Sequence, residues 1–520
     1  MRCQIELALC RGKMSAFNRV ASGSLATWCR IGVTMVAQLA LVPIYLSYWS
    51  AATYGVWLAL QAFFVFGTIL GMSHLTFLEN EFIRIGNSNL HSLGRVLWSS
   101  VPMAIMIAVV QLLLVAGLIW AGLFASLVNP DGLTDHVLTS DAAWIALAQL
   151  VGWLIVVTVS LYVRMLCGIG YYSRFAWWGL PYVILYAAVP VAVLACGGGF
   201  LAVGLSQVVA TLVCNGAWLA DAFRIAKRHE IAVQRPDFNI GVQAVRSSGY
   251  VLLRLFLETM RQSGFRLAML PAVGAVKLAE FSTQRTVGNT AFQCLNSVYA
   301  PLLPELMRYV RERRQQHVEG AFSMLWMLLV LILGPLTILL QALMPTLFPW
   351  WTRNAFEFDG VLLSVLSASV LMNMVSLPAV AICSGNNLVG AQFRIAVIAA
   401  VVLFVALLPL THGFGIRGAA VALLLCETTA SAIYVRTCAQ WLRSAGLQWP
   451  VRPFRVCLLA VVQICVISLL IALWPNLLAV WLTIYAVSLV LMVARLWSAT
   501  PRDAKVYLWD RLREFHFVAR

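Results

Sequence analysis

The chain has 520 residues, 62% of them hydrophobic and only 11% charged, with a formal net charge of +16. Soluble domains run near half apolar and a quarter charged, so the composition excludes a soluble globular protein and indicates an all-α, polytopic membrane protein. The basic residues are scattered through short loops with no basic domain, which assigns the charge to membrane orientation and lipid headgroups, not to nucleic acid.

Apolar segments of spanning length, about 20 residues each, follow one another at 26–50, 54–76, 96–124, 142–165, 175–196, 200–223, 247–271, 276–304, 321–346, 360–384, 391–411, 416–438, 454–473 and 476–496. An even count of fourteen transmembrane helices puts both termini on one side. With that side cytoplasmic, internal segments carry most of the 36 Lys and Arg, and the external loops hold only Lys277, Arg353 and Arg417. The expected organisation is a cytoplasmic segment over 1–25, a six-helix lobe over 26–223 and a basic cytoplasmic linker over 224–246. A second six-helix lobe over 247–438, a helix pair over 454–496 and a basic cytoplasmic tail over 497–520 complete it. A central cavity is expected between the lobes. The N-terminus has no apolar run leading to a small-residue cleavage site, so a cleaved signal peptide is not expected; Met14 offers an alternative start. The twelve cysteines lie mostly in apolar segments without CxxC spacing and read as small buried hydrophobes.

The informative stretch is Arg246 to Arg308, which reads as two membrane helices joined by a very short turn near Ala272–Gly274. The first arm carries Arg254, Glu258, Arg261 and Arg266 in an otherwise apolar helix. At 100° per residue Arg254, Glu258 and Arg261 fall within about 60° of one another. A charge at the bilayer centre costs about 2.5–3.5 kcal/mol, whereas a Leu or Phe returns only about 0.3–0.6. Four charges therefore outweigh the arm's apolar residues, and the stripe must face other helices or water. On the second arm Arg285 and Asn289 share a stripe, one turn apart. Counted from residue 273, Arg266 and Glu280 are equidistant, as are Arg261 and Arg285. The first pair reads as an ion pair, either a static staple or a gate. The second brings two like charges to one depth, which calls for an anion or a carboxylate such as Glu258 between them.

Arg30, about a turn into the first span, reads either as an interfacial arginine reaching back to headgroups or as a docking site for an anionic group. Glu79 and Glu81 at the end of the second span read as a cap or latch. Asp221 and Glu427 read as paired residues or as proton or cation sites. GGFLAVG over 198–204 and GIRGAA over 415–420 open the sixth and twelfth spans with small residues, consistent with two repeated halves. There is no Walker, HExxH, GxSxG or zinc-type spacing, and no external loop long enough to hold a polymer, so no catalytic residue, metal or cofactor is expected.

Three stretches carry a family resemblance: RIGVTMVAQLALVPIYLSYWSAATYGVWLALQAFFVFGTILGMSHLTFLENEF from Arg30, FSTQRTVGNTAFQCLNSVYAPLLPEL from Phe281 and GFGIRGAAVA from Gly413. Their Gly, Pro and aromatic pattern resembles the polysaccharide and O-antigen flippases of the multidrug/oligosaccharidyl-lipid/polysaccharide exporter superfamily. The resemblance implies two six-helix lobes around a cavity lined by helices 1, 2, 7 and 8, where the intramembrane charges lie. It implies an inner-membrane flippase that moves a polyprenyl-diphosphate-linked oligosaccharide by alternating access, working beside a polysaccharide polymerase and glycosyltransferases. Arg30, Arg254, Arg261 and Arg285 would hold the diphosphate, with Asn289 and Gln262 on sugar hydroxyls and Glu258, Arg266 and Glu280 gating. A drug or metabolite antiporter on the same scaffold, or an integral-membrane polysaccharide-modifying enzyme, stays open as an alternative. The strongly basic stripe argues against organic cations.

Overall fold

The computed structural model describes residues 2–86, 89–128, 136–229, 231, 233–299, 302–386 and 388–500, with no strand among them. The chain divides into two compact units, Met1–Ala275 and Val276–Arg520.

The first unit holds α1 (Arg2–Tyr48), α2 (Ala51–Gly67), α3 (Ile69–Ile85), α4 (Leu90–Trp120), α5 (Leu123–Val128), α6 (His136–Gly168), α7 (Tyr172–Ala195), α8 (Phe200–Arg228) and α9 (Phe238–Thr259). A π-turn (Met260–Gly264) and the first part of α10 (Phe265–Tyr299) complete it. Helices α2 and α3 form one bent span, broken by 50° at Thr68. Ser50 starts α2 by accepting from the Thr53 N–H at 3.2 Å, satisfying one of the orphan donors of the first turn. The core joins Leu75, Leu78 and Phe82 of α3 to Leu93 and Leu97 of α4, Val157 and Leu161 of α6 and Ile225 of α8. Contact is close because lipid tails supply no hydrophobic drive between helices, leaving van der Waals packing to hold them. Gly168 illustrates it: a β-carbon there would stand 2.5 Å from the Phe82 carbonyl oxygen.

The second unit holds the rest of α10 with α11 (Leu302–Arg311), α12 (Gln315–Leu328), a second π-turn (Leu329–Leu333) and α13 (Gly334–Trp351). It continues with α14 (Gly360–Gly385), α15 (Val389–Ser444), α16 (Val451–Leu473) and α17 (Leu478–Ala499). Its core is built on Trp326, fully buried, whose indole N–H donates to the Val375 carbonyl at 3.0 Å. The terminal pair α16 and α17 is built into this core: a β-carbon on Gly334 would stand 2.9 Å from Ile464 and from the Tyr485 hydroxyl.

Ten helices are long and apolar enough to cross a membrane, and the bent α2–α3 pair makes an eleventh span. One of the ten, α15, is two spans: Gly415 breaks it at φ 58°, ψ −138°. Gly274 breaks α10 in the same way, at φ 78°, ψ 169°, a region open essentially to glycine alone. The two arms around Gly274 correspond to the stretches the sequence reads as the seventh and eighth spans, and their charges set them apart from the apolar helices. Among the described residues the apolar helices make this a multi-pass membrane protein.

The α1 backbone is helical from Arg2, so the segment over 1–25 continues the first span's helix. The first unit also runs past the 224–246 linker to Ala275, because α9 packs on α3 and α4. The ties are specific. Asp237 caps α9 at the Asn239 N–H (3.0 Å), takes Arg95 of α4 at 2.7 Å and donates its own N–H to Ser99 at 2.9 Å. The Arg95 guanidinium, with the backbone N–H groups of Asn239 and Ile240, holds the Asp237 carboxyl below the usual carboxylate range. Asp131 and the tail beyond Thr500 lie outside the described residues.

Candidate functional site

The charged arm in the first unit is organised by the π-turn. Such a turn widens the helix by one residue, so the side chains of 261 and 262 crowd back toward the preceding turn. Arg261 Nη2 donates to Glu258 Oε1 at 2.7 Å and Gln262 Nε2 donates to the same oxygen at 2.6 Å. Two of the sequence-predicted site residues are thereby gathered around the carboxylate of a third. Arg261 is mostly buried, with its side chain 16% exposed, while Glu258 is 43% exposed. Arg254, a turn earlier, is exposed and has no hydrogen bond or ion pair among the described residues. The turn closes at Gly264, where a β-carbon would stand 2.7 Å from Phe66 of α2, so glycine lets α2 and the arm meet.

Arg266, just past that turn, sits beside Tyr54 of α2, and its Nε is buried without a hydrogen-bond partner. An unpaired polar atom in a bilayer span is costly and marks a place where a partner is missing or intermittent. Arg30 is half-buried on α1 and lies against α7: a β-carbon on Gly179 would stand 3.0 Å from its Cδ.

On the second arm, in the second unit, Glu280 is buried and takes Lys277 Nζ at 2.7 Å. Its ion-pair partner is therefore three residues away on its own helix, while Arg266 belongs to the first unit. Arg285 and Asn289 are half-buried one turn apart. This arm is pinned by Gln284, whose carboxamide donates to the Asp359 carbonyl at 3.0 Å and accepts from its N–H at 3.1 Å. Asp359 also caps α14 and binds Arg417 at 2.6 Å.

The other carboxylates singled out in the sequence each have a partner. Arg174 grips both oxygens of Asp221 at 2.7 and 2.6 Å while the Trp178 indole donates to one of them at 2.9 Å. Glu79 pairs with Arg164, and Glu81 with Arg84. Glu427 accepts from Asn373 Nδ2 at 2.9 Å.

Sequence reasoning missed a polar knot inside the first unit. Gln61 of α2 and Gln149 of α6 both donate to Gln207 Oε1 of α8, at 3.1 and 3.2 Å, and the Tyr186 hydroxyl of α7 donates to Gln61 at 3.2 Å. The available signal was three glutamines in spans otherwise apolar, each needing a partner.

No family model and no curated protein sequence matches the chain. Solved structures do. An inward-facing multidrug resistance MATE family transporter of the MOP superfamily has 14% identity and a TM-score of 0.63, over 81% of this chain and 99% of that one. Lipid II flippase MurJ in an inward closed conformation has 11% identity and a TM-score of 0.63, over 92% and 99%. A Pyrococcus furiosus MOP superfamily transporter described as having reverse polarity of its binding pocket has 14% identity and a TM-score of 0.55, over 82% and 96%. At these identities the likeness is one of fold, which this chain shares with those three proteins.

Proposed function

We propose that the protein is a flippase that moves a polyprenyl-diphosphate-linked oligosaccharide from the inner to the outer leaflet of the inner membrane by alternating access. It would supply cell-surface polysaccharide synthesis (O-antigen, capsule or exopolysaccharide) beside a polymerase and glycosyltransferases. The observation that carries this reading is the seventh span, with three guanidiniums against one carboxylate in a helix that must cross a bilayer. A membrane protein keeps such an excess where an anion compensates it. The fold, shared with a lipid II flippase among others, fits a lipid diphosphate as that anion.

In this reading Arg254, Arg261 and Arg285, with Arg30 from the first span, bind the diphosphate through charge-assisted contacts, and Gln262 and Asn289 meet sugar hydroxyls. Glu258 holds Arg261 until substrate competes for it. Arg266 and Glu280 act as a gate in which Glu280 exchanges Lys277 for Arg266. The test is ligand-induced stabilisation of the purified protein. A polyprenyl diphosphate raises the thermal midpoint and a neutral polyprenol does not. The increment largely vanishes in the Arg261→Gln, Arg285→Gln double variant and survives better with Lys at each position. Equal stabilisation of variant and wild type removes the arginines from the site. The fold shared with MATE transporters supports a second reading, a drug or metabolite antiporter. Efflux of an organic cation, dependent on this protein and blind to polyprenyl diphosphate, selects it.

A further inference from the structure

A cavity of about 80 Å³ lies inside the first unit between α2, α6, α7 and α8, walled by Phe64, Gln149, Trp153, Tyr182, Tyr186 and Gln207 among others. No lining residue is acidic, basic or histidine. A cation would find no counter-charge there, and a proton no acceptor that titrates near neutrality. What the wall offers is amide and phenol. Gln149 is 6% exposed; its Nε2 is committed to Gln207, and its Oε1 is buried with no donor. An amide carbonyl so placed lacks a hydrogen-bond donor, and Gln149 is one of the residues that wall the cavity. Around it the Tyr182 and Tyr186 rings lie 5.7 Å apart at 30°, and Trp153 adds a third aromatic surface, its indole N–H spent on Gln111 at 3.2 Å. Aromatic faces beside an unspent amide oxygen suit a ligand that alternates C–H faces with hydroxyl edges.

We propose that this cavity binds a neutral, hydroxyl-bearing group, the edge of one sugar ring, with the Gln149 carbonyl accepting a ligand hydroxyl and the two tyrosines framing it. Its volume sets the size of the occupant. At about 80 Å³ it suits a small polar edge, a diol or hydroxymethyl, and not an oligosaccharide. The assignment of that edge to the glycan of a lipid-linked oligosaccharide rests on the flippase reading. One helix connects the two sites: α2 places Gln61 in the amide knot and Phe64 in the cavity wall, and seats Phe66 on Gly264 of the π-turn that carries Arg261. A substrate with an anionic end and a polyol end would thus meet both chemistries in the first unit.

Saturation-transfer NMR on the purified protein, with methyl α-glucopyranoside, methyl α-galactopyranoside and glycerol as probes, tests the site directly. A glycoside receives saturation from the wild type, and Gln149→Leu weakens its binding about five- to tenfold, the effect of one lost hydrogen bond. Tyr186→Phe, which keeps the ring, weakens it less and carries the same test if the leucine variant does not fold. Equal binding by wild type and both variants, or binding of glycerol alone, overturns the inference. A second arm separates it from the function. The thermal midpoint gained with a polyprenyl diphosphate carrying one hexose, beyond that gained with bare polyprenyl diphosphate, is lost in Gln149→Leu, while the diphosphate gain stays. A variant that keeps both gains overturns the sugar site and leaves the flippase standing. A wild type that responds to neither lipid, yet binds glycosides through Gln149, overturns the flippase and leaves the sugar site.

Discussion

Replacing Glu258 by Gln should tighten the binding of a polyprenyl diphosphate, although it removes a conserving ion pair from a membrane span. In the ligand-free protein Glu258 Oε1 takes Arg261 at 2.7 Å and Gln262 at 2.6 Å. A charge-assisted bond of this kind contributes about 1.5–3 kcal/mol when buried, and exposed ion pairs about 0.2–1. With Glu258 43% exposed and Arg261 16% exposed, the pair falls between these limits, near 1 kcal/mol. An incoming diphosphate must displace that contact and also approach a carboxylate of its own sign. Removing the negative charge relieves both, so affinity should rise about fivefold, the equivalent of about 1 kcal/mol. Calorimetric titration of the purified protein measures it. Arg261→Gln should weaken binding, and in the double variant the gain from Glu258→Gln should shrink to the part owed to relieved repulsion, since there is no guanidinium left to release. Additive effects, or weaker binding by Glu258→Gln, would refute the competition between Glu258 and substrate for Arg261.

Reporter fusions should place Arg228 and Arg313 in the cytoplasm and Arg353 and His412 outside; any reversal among these four sites breaks the fourteen-span topology. Gly274→Ala should lower stability by about 1–3 kcal/mol, because a β-carbon is disfavoured at φ 78°, ψ 169°, and an unchanged melting midpoint would mean the turn takes another conformation. The Asp237 carboxyl, held low by Arg95, contributes stability that is fully present above its unfolded pKa of about 3.9 and is lost as pH falls through the lower folded value. Asp237→Asn should therefore lower the melting midpoint at neutral and alkaline pH by a constant amount and flatten the acid limb below about pH 5, where the two proteins converge. An unchanged acid limb would mean that the Arg95 contact is not formed in solution.

The fold was legible where backbone chemistry is tied to residue type. Gly274 and Gly415 mark helix breaks that only glycine fits, and the long apolar runs leave few alternatives for the spans between them. The extent of the first unit to Ala275 was not legible, for an equally local reason. A basic linker looks like a boundary, yet Asp237 within it caps α9 and ties it to Arg95 and Ser99, which keeps the seventh span in the first unit. The π-turn at Met260–Gly264 had no residue signature at all. A 3.6-residue projection nonetheless put Glu258 and Arg261 on one face, because a single widened turn shifts that relation by less than the width of a face.

Charge was easier to find in the sequence than neutrality, and the difference follows from cost. An arginine in a span is so expensive that its position alone is informative. A glutamine is cheap enough to occur anywhere, and its meaning appears only when partners 58 and 146 residues away arrive at the same oxygen. Glu280 shows how a local partner can escape a symmetry argument. Symmetry about residue 273 paired it with Arg266, but Lys277 lies three residues away on the same helix face and needs no tertiary arrangement to reach it. A local partner wins in a single static state. The distant one can matter only in a second state, which is why Arg266, with a buried Nε and no bond to spend it on, remains the residue of the arm best placed to report a conformational change. If the gate operates, Arg266→Gln and Glu280→Gln should each slow transport while leaving diphosphate-induced stabilisation in place, and the exchanged pair Arg266→Glu with Glu280→Arg should recover part of the rate. Loss of the stabilisation itself would instead place Arg266 in the anion site, beside Arg261.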